Sequence, residues 1–149
     1  MNFGKQNSGF IVTPASGPSI VQTFQLTTAN DSPLRDPATW QLNSTNDAIL
    51  SRKNSQGTGE NWTLIGSAAV DLPLDRQVSG TYVQVANVTP NVSYKMLFTT
   101  IRDVAAGDTD SMQVADAQFY TESIPEPSSV MLWAVSCVVG AALVRGRKC

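Results

Sequence analysis

Between Ser19 and Tyr120 the chain is written in short runs of Val, Ile, Thr and aromatic residues, broken roughly every ten residues by Gly, Pro, Asn and Asp clusters. That pattern specifies an all-β chain. Alternation is clearest where Val21, Thr23, Gln25 and Thr27 oppose Gln22, Phe24 and Leu26, and where Tyr94, Met96 and Phe98 oppose Lys95, Leu97 and Thr99. Strands are expected near 9–12, 20–27, 39–45, 62–69, 81–85, 93–100 and 112–120. The stretches 28–37, 46–61 and 101–111 read as loops, punctuated by Pro33, Pro37, Gly57, Gly59 and Gly107. Strand number and spacing fit a β-sandwich.

With 149 residues there is room for one domain, and 42% apolar against 15% charged residues is a globular rather than a disordered composition. Charge is segregated. Up to Pro127 there are 7 basic and 12 acidic residues, a net −5, while Arg145, Arg147 and Lys148 put +3 on the end. An acidic head argues against a nucleic-acid partner. Histidine is absent, which removes the commonest general base and the commonest neutral metal ligand together. Both cysteines, Cys137 and Cys149, lie in the last segment, so the head has no disulfide framework.

From Ser128 to Val144 no charge occurs, and the run Val130–Val144 is apolar and small throughout. As a helix, 128–144 would span about 25 Å, slightly short of a ~30 Å hydrocarbon core, a gap that snorkelling arginines and local thinning can close. The expectation is a single transmembrane helix over 130–144 with a basic cytoplasmic tip at 145–149, which leaves the head outside.

The segment Ile124-Pro125-Glu126-Pro127-Ser128-Ser129, the apolar run and the Arg-rich end, in that order, strongly resemble the PEP-CTERM sorting signal of Gram-negative bacteria. The resemblance implies that Pro125, Glu126 and Pro127 form the sorting motif within a linker at 122–129, and that an exosortase is the partner. It also implies an inner-membrane precursor that ends at the cell surface or in the extracellular matrix. Two prolines would hold the segment extended and free of ladder hydrogen bonds, presentable to a protease cleft.

In the head, Thr28–Asp31, Arg35-Asp36-Pro37, Trp40, Leu42, Thr45–Asp47 and Trp62–Ile65 follow an order that resembles the galactose-binding-like (discoidin, coagulation-factor C-type) domain. The resemblance implies a jelly-roll-like β-sandwich over 1–121 and association with exopolysaccharide or another glycan. In that family an earlier strand and an Asp-Gly loop supply a structural Ca²⁺, and Asp116 occupies a position where an acid often helps to hold it. Nothing before Asn2 provides that loop, and Met1–Phe10 has no signal-peptide character. The expectation is a chain that begins inside its domain, with no cofactor other than this possible Ca²⁺.

Sugars bind end loops in this fold, so Asn30, Asp31, Arg35 and Asp36 are the candidate ligand contacts. Arg35 has an equal alternative as a brace paired with Asp31 or Asp36. Asp108 and Asp110 read as solvated loop acids. Trp40 and Trp62 could stack on sugars, but their alternation with Leu42 and Leu64 favours core packing. The four Asn-x-Ser/Thr sequons carry no glycosylation claim. Taken together, these residues suggest a non-catalytic exported protein associated with glycan. The alternatives are a purely structural matrix component and, more distantly, an accessory domain of a hydrolase.

Overall fold

A computed structural model describes residues 2–4, 6–50, 57–105 and 111–121. Nine strands occur among them: β1 Asn2–Gly4, β2 Ser8–Val12, β3 Thr23–Thr27, β4 Pro37–Thr45, β5 Thr63–Ala69, β6 Val83–Gln84, β7 Ser93–Ile101, β8 Ser111–Gln113 and β9 Asp116–Tyr120. Every pairing is antiparallel. One sheet has the order β2-β7-β4-β5, a second β6-β3-β9, and β1 pairs with β8. Among the described residues no helix is long and apolar enough to cross a membrane. The expected spanning segment 130–144, the Pro125-Glu126-Pro127 motif, the basic tip, Asp108 and Asp110 lie outside the described residues.

The two larger sheets face one another across an apolar core, because the alternating side chains of their central strands point the same way as a set. β7 sends in Tyr94, Met96 and Phe98, β4 sends Trp40 and Leu42, and β3 answers with Phe24 and Leu26, all of them buried. Ring contacts cross the gap: Phe24 meets Trp40 edge-on at 4.9 Å, and Phe10 meets Phe119 at 6.2 Å. Each such side chain contributes roughly 1.5–3 kcal/mol by leaving water. These contacts outweigh the two- and three-residue ladders of β6, β1 and β8 in holding the sheets together.

The main departures from the expected strands trace to contacts with distant parts of the chain. The strand expected from residue 20 begins at Thr23, because the Val21 N–H is taken by the Tyr94 hydroxyl (3.1 Å) instead of a neighbouring strand. The single closing strand expected over 112–120 is two: β8 pairs with β1, β9 with β3, and the buried Val114 sits at the crossing between sheets. The β1–β8 pair itself was not expected.

Alternation holds for Trp40 and Leu42 but fails for Trp62 and Leu64. A bulge shifts the β4–β5 register so that Leu42 pairs with Gly66 while Asn43 pairs with Leu64. One extra residue on β5 therefore turns Leu64 outward, 55% exposed. Gly66 lies under the Trp40 ring, where a Cβ would come within 3.3 Å of it. At Gly9 no side chain is possible at all, since a Cβ would overlap the Met96 carbonyl of the neighbouring strand.

Candidate functional site

The candidate ligand contacts come together at the end of the sandwich where β4 begins. Ser32 caps a 3₁₀ turn over Pro33–Arg35, its side chain accepting from the Leu34 N–H, and the chain then enters β4 through Pro37, a residue tolerated at the first position of a strand. The turn carries Asp31, Arg35 and Asp36 within six residues, but it aims them in different directions.

Asp36 points inward and is fully buried. Its carboxylate receives a bidentate pair from Arg76, Nη1 to Oδ1 at 2.9 Å and Nη2 to Oδ2 at 2.8 Å. The Arg76 fork is saturated by the carbonyls of Leu74 (3.0 Å), Asp31 (3.2 Å) and Pro73 (2.9 Å). The hydrogen-bonded Asp36 carboxylate holds Arg76 above even the usual guanidinium range, with burial opposing. Arg102 completes the ring: its Nη2 donates to the Leu72 carbonyl at 2.6 Å and stands 4.0 Å from Asp36, and its N–H donates to the Asp36 carbonyl. Asp36 is thus a clamp that ties loops 28–36, 70–76 and 101–103, with its carboxylate turned away from solvent.

Arg35 is a brace as well, paired with Asp31 and not with Asp36. Its Nε donates to the Ser111 carbonyl at 3.0 Å and its Nη2 to the Ser111 hydroxyl, which fastens the turn to β8. Asn30 and Asp31 remain open to solvent. The sequence reading missed Arg76. It sits in a loop forty residues from Asp36, and the signal for it is indirect: an acid that enters a strand behind a turn must be matched by a cation from elsewhere.

Asp116 opens β9 in an exposed position, where its carboxylate accepts from the Ala117 N–H and the Gln118 amide, both at 2.9 Å. Among the described residues no three acidic, His or Cys side chains gather around it or elsewhere. Trp40 is a core residue between the sheets. Trp62 lies instead on the outer face of the four-stranded sheet, its ring 4.6 Å beneath the Lys95 ammonium.

Lys95 itself is only 8% exposed and also reaches the Gly57 carbonyl at 3.4 Å. Burial pushes its pKa below the ordinary lysine range, partly offset by Glu60. The folded protein therefore releases this proton before the unfolded chain does. Stability should rise with pH between the depressed folded pKa and the ordinary lysine value, and level off above it. Lys95→Met keeps the stem and removes the charge. Denaturant titrations from pH 7 to 11 should show that slope in the wild type and lose it in the variant, with the neutral-pH melting temperature of Lys95→Met about 4 °C higher. A wild-type slope that survives the substitution would assign it to another group.

Among the described residues, grooves open at both ends of β4. One, of about 360 Å³, lies beside the clamp between Leu72, Pro73 and Gly80. The other, of about 350 Å³, lies where β4 ends and β5 begins, against the 86–91 segment. No family model matches this chain, and no curated protein matches it.

Proposed function

We propose that this protein is a non-catalytic component of a bacterial cell surface or exopolysaccharide matrix, exported with its head outside and handed by its PEP-CTERM-like tail to an exosortase. The observation that carries the reading is the order of three elements in the tail: Pro125-Glu126-Pro127, an uncharged seventeen-residue run, and Arg145, Arg147 and Lys148. Three cations immediately after an apolar run, with Glu126 the nearest charge before it, bias the C-terminus toward the cytoplasm. The head is read as a galactose-binding-like, jelly-roll-like sandwich that associates with glycan. Its antiparallel sheets and the clamped loops at one end suit a rigid display module.

The alternative, a purely structural matrix role, is favoured by one feature. β5 (Thr-Leu-Ile-Gly-Ser-Ala-Ala) bonds on one side only among the described residues and carries neither charge nor proline, the usual devices against edge pairing. A glycan array separates the two readings, since a structural component has no discrete ligand. The sorting reading is tested by intact-mass measurement of surface-extracted protein from a host with a matching exosortase. The mature mass should lack everything after the Pro-Glu-Pro region; mature surface protein that retains Cys149 overturns the proposal.

A further inference from the structure

The groove at the far end of β4 has a lining chemistry that its counterpart lacks. Ser44, Thr63 and Thr89 contribute hydroxyls, Asn87 and Asn91 contribute amides, and Leu64, Ile65 and Val88 contribute aliphatic surface; no lining side chain is charged. Leu64 and Val88 stand 55% and 80% exposed at its rim. Among the described residues the hydroxyls of Ser44, Thr63 and Thr89 take no hydrogen-bond partner; Thr63 and Thr89 are exposed and available to a ligand, while Ser44, 3% exposed, lies at the floor.

The wall of the groove is fixed before anything binds. Asn87 and Asn91 are 7% and 8% exposed. The Asn91 amide donates to the Thr89 carbonyl (2.8 Å), the Thr89 N–H to Asn87 Oδ1 (3.2 Å), and the Asn87 amide to the Tyr94 hydroxyl (3.3 Å). Ser19 and Asn91 exchange backbone bonds at 3.0 and 3.1 Å, and the Val92 N–H donates to Asn46 Oδ1 at 3.1 Å. The 87–92 segment is thereby tied to three other parts of the chain, so binding need not order it.

We infer that this groove is a binding site for a neutral sugar of one or two hexose units. Free hydroxyls and an aliphatic rim match a ligand with polar edges and apolar ring faces, and the cavity lies at the small end of the range for such sites. An uncharged lining on a head whose residues 1–121 carry a net charge of −3 gives an acidic sugar no compensating cation and a repulsive field. The inference rests on the glycan reading of the head and specifies its ligand class and place, at the end opposite Asn30, Asp31, Arg35 and Asp36.

The test is an NMR titration of the full chain in a non-glycosidic detergent with lactose, cellobiose and digalacturonate. Lactose or cellobiose should shift the amides of 63–65 and 86–91, with digalacturonate at least tenfold weaker. Thr63→Glu and Val88→Asp, both at exposed positions, should each weaken the neutral sugar at least tenfold with the melting temperature unchanged. If Thr63→Glu proves destabilising, Val88→Asp decides. Shifts confined to 30–36 or 71–81 overturn the groove while the glycan reading stands. No shift with any of the three sugars overturns the ligand class. Tail cleavage, read by mass, is unaffected by either result.

Discussion

Asp36→Ala and Arg76→Ala should each lower the melting temperature of the full chain by on the order of 10–20 °C. The pair is bidentate, and Asp36 is wholly out of water. Breaking a buried pair by removing one partner typically costs about 3–5 kcal/mol, because the other ion stays behind without its compensation. In a domain of this size each kcal/mol is worth about 4 °C. Arg76→Ala should be the worse of the two, since it strands the carboxylate with only Arg102 at 4.0 Å and deprives three loop carbonyls of their donor. Arg76→Lys should recover little, because one ammonium cannot serve five acceptors arranged for a planar fork. The double variant Asp36→Asn/Arg76→Met removes both charges and should be less damaging than the sum of the singles. Thermal melts followed by circular dichroism check the set; single variants that melt within 3 °C of the wild type would mean that solvent reaches the pair.

The all-β class and the central strands were legible because their signal is local. β4 and β7 alternate in their central parts, where the buried residues Trp40 and Leu42, and Tyr94, Met96 and Phe98, fall on the period of two that a strand requires. What could not be read was where the chain departs from the ladder. Nothing in Leu64-Ile65-Gly66 announces a bulge, since its cause is the register that β5 finds against β4 across seventeen intervening residues. Likewise, the split between β8 and β9 depends on two different partner strands, β1 and β3, and not on the composition of Val114-Ala115.

The candidate site was legible as a location but not as a role. Arg-Asp-Pro marks a turn leading into a strand from sequence alone, and Asp31, Arg35 and Asp36 do gather there. Whether a charged side chain in such a turn faces solvent or the interior is decided by its partner. Arg76 arrives from a loop whose sequence, Leu-Pro-Leu-Asp-Arg-Gln, carries no periodic signal. The far groove was invisible for a related reason: its lining is uncharged, and Ser, Thr and Asn are so common in this chain that their convergence at 44, 63 and 87–91 has no signature.

Tyr94→Phe should cost about 2–4 kcal/mol although it leaves the ring in place. The ring is fully buried in the core and phenylalanine fills the same volume, so the loss is confined to one oxygen. That oxygen accepts from the Val21 N–H at 3.1 Å and from the Asn87 amide at 3.3 Å, and its proton goes to the Ser19 carbonyl. Without it, the Val21 N–H and the Asn87 amide lose this partner in a place that is 3% exposed at Val21 and 7% at Asn87, while the Ser19 carbonyl keeps the Asn91 N–H, and each buried group left unsatisfied costs about 1–3 kcal/mol. The effect should also be directional. Amide hydrogen exchange should quicken at Val21, Thr89 and Asn91, which the hydroxyl anchors directly or through Asn87, while 71–76 and 101–103 at the opposite end keep their protection until global unfolding. Asp36→Ala should show the reverse distribution, so the two variants together establish whether the ends of the sandwich loosen independently. If neutral-sugar binding depends on a prefixed wall, Tyr94→Phe should weaken it below the melting temperature, whereas Asp36→Ala should leave it intact. Unchanged exchange at Val21 in Tyr94→Phe would show that water replaces the hydroxyl without loss and that the anchor is dispensable.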